Sequence, residues 1–193
     1  MKWELDPAHS SLEFAVRHMV VSTVKGTFSS FTAEPFIDPN DLLKSHGTIT
    51  VDVASLDTRE PRRDAHLRSA DFFDVERFPQ MVYSAKRVEL GERGRYRILG
   101  ELTIRDITRE VELDAEVSGP VADPFGGTRI GVSAEARINR HDFGLDWNVV
   151  TEAGGLLVGD DVRITAEAEF VLVNESAEGS AAEPELQGAS LSR

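Results

Sequence analysis

The sequence predicts an all-β fold of antiparallel strands with one short helical insertion. Apolar residues recur at every second position along most of the chain, and turn residues punctuate those runs. One stretch, residues 58–78, breaks the alternation. Period-two alternation gives each strand one dry face and one wet face, the mark of antiparallel sheet.

The elements follow in order. A short strand is expected near 2–5. Leu12, Phe14, Val16 and His18 then alternate with Ser11, Glu13, Ala15 and Arg17. A strand over 25–37 ends at the turn Asp38-Pro39-Asn40. Ile49, Val51 and Val53 alternate with Thr50, Asp52 and Ala54. From Thr58 to Phe78 the chain reads as helical turns, with Pro61 in the first turn, Asp57 or Thr58 as cap, and Pro79 as the stop. After a strand near 80–88 and a turn at Gly91–Gly94, Tyr96, Ile98, Gly100, Leu102 and Ile104 share one face. Val111, Leu113, Ala115 and Val117 share the next, ahead of the turn around Asp123-Pro124-Phe125-Gly126-Gly127. The last two strands place Ile130, Val132, Ala134, Ala136 and Ile138, then Val162, Ile164, Ala166, Ala168 and Phe170, on their dry faces. The total is about eight or nine strands.

The chain has 193 residues, enough for one domain with a full core. That domain is expected over 1–173. From Asn174 to Arg193 the composition turns to Glu, Ser, Ala and Gly, with Leu186 and Leu191 its only large apolar residues. Such a segment cannot repay its ordering entropy and is expected to be a disordered acidic tail.

Charge and composition exclude several classes. There are 34 acidic against 21 basic residues, a net charge of -13. That balance repels phosphate backbones and anionic lipid surfaces, so nucleic acid is not an expected partner. Transient membrane contact would need a local basic patch. With no cysteine there is no disulfide framework, zinc-thiolate site or cysteine nucleophile. No apolar run approaches the roughly 18 residues of a membrane span. The opening Met1-Lys2-Trp3-Glu4-Leu5-Asp6 has no apolar signal core, and a cytoplasmic location is expected.

The dry faces carry the functional signal. An eight-stranded barrel is just wide enough to be filled by side chains or to hold one small ligand. Here the longest late strands offer Ala134, Ala136, Ala166 and Ala168, and others bring Gly100 and Ala115. Those small residues leave volume that either a ligand occupies or Phe14, Phe28, Phe31 and Phe170 fill from across the barrel. His18, at the end of an apolar face, reads either as a polar contact at a barrel mouth or as a satisfied structural histidine. The segment Arg59–Arg68 holds four arginines and one histidine against two acids. Its guanidinium forks suit a phosphate or carboxylate, or else Arg63 and Asp64 pair with neighbours and pin the insertion down. Asp142-Phe143-Gly144 reads as a turn, with Phe143 as anchor and Gly144 in an unusual backbone conformation. The five histidines show no metal-binding spacing, and neither a nucleophile elbow nor a Gly-rich phosphate loop is present. No catalytic residue, metal or cofactor is expected.

Several motifs together resemble the YceI-like, polyisoprenoid-binding proteins. They are Asp6–Phe14 followed by His18, Val24–Phe28, Arg63–Asp74, Gly100–Ile104 and Ile138–Gly144, in family order across about residues 3–173. The resemblance implies a lipocalin-like, eight-stranded antiparallel β-barrel with an elongated apolar tunnel for a long isoprenoid chain, often in a homodimer. Many relatives are exported, unlike the expectation for this chain. The tunnel would be lined by Phe14, Val16, His18, Phe28, Phe31, Val51 and Ile98 on the earlier strands. Leu102, Ala134, Ala136, Ile164, Ala166, Ala168 and Phe170 would complete it. Arg62, Arg63 and His66 would hold a headgroup at the mouth.

The expected function is therefore a soluble binder of an isoprenoid quinone or polyprenyl pyrophosphate, for storage, transport or protection. Two alternatives stand beside it. One is an interaction module whose interior is only core. The other is an enzyme acting on a small apolar substrate, with His18 or His66 as base and Asp64 as its orienting partner.

Overall fold

A computed structural model describes residues 2–19, 21–124, 126–150 and 156–173. The tail expected over 174–193 lies outside the described residues. Eleven strands and one α-helix are formed among them. The first half carries β1 (Lys2–Leu5), β2 (Ser11–His18), β3 (Ser22–Phe28), β4 (Phe31–Phe36), β5 (His46–Asp52) and β6 (Leu56–Asp57). The helix α1 (Pro61–Arg68) follows. The second half carries β7 (Gln80–Leu90), β8 (Tyr96–Ile104), β9 (Ile107–Ala122), β10 (Thr128–Asn139) and β11 (Val158–Val173).

All strand pairings are antiparallel. The order is β4-β5-β7-β8-β9-β10-β11-β2-β3-β6, with β1 added on β11. Among the described residues no ladder joins the two ends of that order, so the sheet is a curled, incompletely closed barrel. The alternation read from sequence sets its faces. In β10, Ile130, Ala134, Ala136 and Ile138 are buried while Ser133, Glu135 and Arg137 are exposed. Ala134 lies directly opposite Ala166 on β11 and opposite Ala115 on β9.

Two elements differ from expectation. The strand expected over 25–37 is two strands, because the chain turns at Ser29-Ser30, where Ser55 receives it. Ser29 N–H donates to the Ser55 carbonyl, and Ser30 N–H donates to Ser55 Oγ. The helical stretch expected over 58–78 is a helix of only 8 residues followed by turns. Its cap is Glu60, whose carboxylate accepts from the Arg62 and Arg63 amides, not Asp57 or Thr58. Arg59 bends the chain with φ 64°, so the first helical residue comes after Glu60. Pro61 then sits in the first turn, where its missing N–H is no loss.

The buried apolar residues form two clusters along the barrel. One is built on Phe28, Val51, Leu56, Leu102, Ile104 and Phe143 and meets the helical insertion through Leu67 and Phe73. The other is built on Trp3, Ile130 and Phe170. The Trp3 indole donates to the Ile37 carbonyl at 3.1 Å, tying β1 to the segment after β4. Gly144, with φ 67°, makes the turn that buries Phe143.

Two strand glycines are sockets for aromatic rings. A Cβ on Gly26 would lie 2.4 Å from the Phe14 ring, its direct cross-strand neighbour. A Cβ on Gly100 would lie 2.7 Å from the end of the Tyr83 ring and 2.5 Å from the Ser84 carbonyl oxygen. Because the latter contact is backbone, Gly100→Ala is expected to destabilise by about 1–3 kcal/mol. A urea unfolding midpoint unchanged from the parent would contradict this packing.

Candidate ligand-binding site

The barrel interior holds two chambers. The helix-end chamber, of about 170 Å³, lies beneath the insertion. Its walls include Phe14, Val16, Phe28, Val51, Leu102, Ala136 and Ile164 from the strands, and Leu67, Phe72, Phe73 and Leu145 cover it. The hairpin-end chamber, of about 140 Å³, lies toward the β4–β5 connection. Ile98, Ala168 and Phe170 are among its walls, with Ile37, Leu42 and His46 at the connection. Both chambers are lined by Ile49, Tyr83, Leu113, Ala134 and Ala166, which form a waist between them. The helix-end lining is apolar except for Glu13, Tyr83 and Arg140.

The inward alanines thus border space, and the aromatic residues fill only part of it. Phe14 and Phe28 pack on each other with ring centroids 5.5 Å apart. Phe31 does not line either chamber. It shares the inward face of its cross-strand partner Val51 and packs on the core cluster, but it stands at the start of β4, the edge strand of the sheet, where it borders a groove beside β1. His18 lies outside both chambers as well. Its face continues Leu12, Phe14 and Val16, and on β2 the lining ends at Val16; at the level of His18 it is the paired residue Val158 on β11 that borders the helix-end chamber.

The basic island serves the scaffold. Arg63 donates from Nε to Thr58 Oγ1 at 2.7 Å and from Nη2 to the Thr58 carbonyl at 2.9 Å. Thr58 in turn donates through its amide and hydroxyl to buried Asp64. Arg68 donates to the carbonyls of Ala54 and Leu56. Arg62 is exposed, and neither it, Arg63 nor His66 borders a chamber. His66 bonds Asp71 at 2.9 Å and stands edge-on to Trp147, 4.5 Å between centroids, and to Phe72, 5.2 Å. Asp64, which accepts from Thr58, is therefore not its partner; the carboxylate beside His66 is that of Asp71.

Arg140 is the polar residue that closes the helix end. It is 2% exposed. Nε donates to the Gly159 carbonyl at 2.9 Å, Nη1 to the carbonyls of Leu145 and Trp147, and Nη2 to that of Val158 at 3.4 Å. Asp160 lies 3.5 Å from Nη2. Burial pulls the guanidinium pKa down, and Asp160 and Asp146 oppose that pull. With its donors directed at backbone, Arg140 joins the segment after β10 to the start of β11 instead of awaiting a ligand.

His141 makes a second clasp on the same segments. Nδ1 lies 2.7 Å from Asp146 and Nε2 2.9 Å from Asp160. Hydrogen bonds to Asp146 and then to Asp160 raise its pKa above the ordinary 6.5. The stabilisation is complete below the unfolded value and is lost as pH rises through the raised folded value. It is small, because the imidazole is 39% exposed. His141→Ala is expected to flatten the decline in melting temperature above pH about 6.5, the unperturbed histidine value. An identical slope in the variant would show that the clasp does not form.

A third polar cluster sits outside the barrel. Asp6, His9 and Glu169 bring donor atoms within 4.8 Å of one another. Arg129 already donates to Asp6 at 2.8 Å and to Glu169, so a cation of the protein's own balances those carboxylates. Hydrogen bonds from His9 and Arg129 hold the Asp6 pKa down at about 2. Its contribution to stability is present above 3.8 and is lost as pH falls toward 2.

A family model, the YceI-like domain, matches residues 3–170. The chain belongs to the YceI-like family. This YceI-like chain is 38% identical over 166 residues to a UPF0312 protein of Staphylococcus aureus strain N315, covering 86% of itself and 94% of the relative. Among solved structures it resembles a YCEI protein of Campylobacter jejuni, with TM-score 0.70, 28% identity, and 82% and 90% of the two chains covered. It shares its fold with Burkholderia cenocepacia BcnA, with TM-score 0.73, 22% identity, and coverage of 86% and 99%. A polyisoprenoid binding domain from Saccharophagus degradans implicated in plant cell wall breakdown has the same fold, with TM-score 0.67, 15% identity, and coverage of 88% and 98%.

Among the residues that sequence reasoning passed over are Tyr83 and Arg140. Met81, Tyr83 and Ala85 alternate with Val82, Ser84 and Lys86, so fixing the phase of that strand would have turned Tyr83 inward. Arg140 continues the inward series Ala134, Ala136 and Ile138, which marks a charge that the fold must satisfy.

Proposed function

We propose that this chain binds an isoprenoid-type lipid, with the apolar chain inside the barrel and the polar end at a mouth. It acts as a non-catalytic binder for storage, carriage or protection. The observation that carries this reading is the pair of apolar chambers meeting at one waist through the length of the barrel. Family membership supports it, as does the polyisoprenoid binding domain that shares the fold. A filled interaction module would have no such space.

Physical chemistry limits what the chambers do. Ligand pockets usually measure about 300–1,000 Å³. Each chamber is smaller, so a ligand that fills the barrel must widen the waist. Burying a CH₂ from water is worth about 0.8 kcal/mol, but a lipid arrives from a membrane, a solvent much like the chamber. Selectivity then rests on shape and on the polar end. The test is displacement of an environment-sensitive apolar fluorophore by farnesol, at fixed detergent. Saturable displacement near one equivalent is expected. Loss of signal only above the farnesol concentration at which it forms its own aggregates would contradict the reading.

A further inference from the structure

We infer that the β2–β3 turn end of the barrel docks on an anionic membrane surface, through an apolar tip that enters the bilayer and a basic row that meets its phosphates. The purpose of that contact rests on the proposed lipid-binding function, because it brings the rim of the helix-end chamber to the source of the ligand.

The tip joins three chain segments. The turn between β2 and β3 carries Met19 and Val21, and the Met19 amide donates to the Leu157 carbonyl at 2.9 Å. The Leu157 amide donates in turn to the Val149 carbonyl at 3.0 Å, and Val150 pairs with Leu156 across an antiparallel bridge. Met19, Val21, Val149, Val150 and Leu156 are five of the nine large apolar residues that stand exposed among the described residues, and Val21 is 84% exposed. Apolar side chains gathered in one exposed place mark a contact surface. Just inside the tip, Val16 and Val158 border the helix-end chamber.

The charge beside the tip identifies the partner. Lys25 lies opposite Ala15, Ala15 opposite Arg163, and Arg163 opposite Arg137, so one outward row crosses β3, β2, β11 and β10. Arg17 stands on the same face, between that row and the tip. Asp161 lies 3.8 Å from Arg137, whereas Lys25 and Arg163 have no salt-bridge partner among the described residues. The acids of the neighbouring outward row, Glu13 and Glu135, lie on the side away from the tip. In a chain of net charge -13, this is a local basic patch of the kind that contact with an anionic surface requires. Charges more than about 8 Å from the headgroups are largely screened at physiological salt, so the row acts on the phosphates while acids on distant strands do not.

The spacing fits a bilayer. From the His18–Ser22 pair that closes the hairpin to the Ala15–Lys25 pair is about 10 Å along the strands. Interfacial apolar groups enter a membrane by about 5–10 Å, so an inserted tip sets the row at the level of the lipid phosphates. Neither signal anchors a protein alone, and the two together give reversible binding.

The test is flotation of the full chain with vesicles of phosphatidylcholine alone, or of equal parts phosphatidylcholine and phosphatidylglycerol. The chain should float with the mixed vesicles only, and added salt should release it. Lys25→Gln and Arg163→Gln should each weaken binding about fivefold, since one basic side chain at an anionic surface is worth about 1 kcal/mol. Val21→Ser should weaken it about tenfold. All three residues are exposed and outside both chambers, so displacement of the fluorophore by farnesol should be unchanged. Failure to float, equal flotation with both compositions, or flotation unaltered by all three substitutions would overturn the docking surface. Failure to float together with a dimer that dissociates in Val21→Ser would overturn it in favour of an interface between copies. Flotation as expected without farnesol displacement would keep the surface and retire the lipid-binding function instead.

Discussion

Arg140→Ala is expected to cost about 3–5 kcal/mol of folding stability, among the largest effects of any single side chain here. The guanidinium serves the carbonyls of Leu145, Trp147, Val158 and Gly159 from one buried position. Its removal strands those acceptors, each worth about 1–3 kcal/mol if no water replaces the donor. Arg140→Lys should recover only part of the loss, because one ammonium cannot reach two chain segments as a planar fork does. Urea unfolding measures the change. Hydrogen exchange should quicken most in residues 145–150 and 157–160. A loss below about 1 kcal/mol, the scale of one ordinary hydrogen bond, would mean the segment is held by other contacts.

Ala166→Phe is expected to abolish ligand binding while the protein remains folded. Ala166 and Ala134 are cross-strand neighbours at the waist, where both chambers meet Tyr83. A phenyl ring there fills the space a chain would use. Overpacking costs about 1–3 kcal/mol where room is short, and less where the ring enters existing space. Bound lipid should fall at least tenfold, a factor equivalent to about 1.4 kcal/mol. Glu135→Gln, an exposed change one residue along β10 from Ala134, should leave binding unaffected. Full occupancy in folded Ala166→Phe would remove the waist from the ligand's path.

The sequence was legible where one physical rule dominated. Alternation in β10 and β11 gave both the strands and their inward alanines, because a side-chain period of two leaves a single way to bury Ile130 through Ile138. It left open whether aromatic rings fill the interior, and in the fold Ala134, Ala136, Ala166 and Ala168 border the two chambers. It did not show Tyr83 lying over Gly100, since that contact depends on how β7 and β8 are aligned. The arginine island was ambiguous for a similar reason. Guanidinium groups suit phosphate and backbone carbonyls equally, and only the fold brings Thr58, Ala54 and Leu56 within reach of Arg63 and Arg68. The boundary after Phe28 was missed because Ser29-Ser30 lacks the Gly or Pro that usually marks a turn, and its partner is Ser55, distant in sequence.

The most direct measurement is mass spectrometry of an organic extract of the protein purified from its own host and washed free of bulk membrane. The lipid-binding account predicts one isoprenoid-type species at near-stoichiometric yield, lost in Ala166→Phe. A clean extract from demonstrably folded protein, or the same mixture of lipids from parent and Ala166→Phe alike, would contradict it.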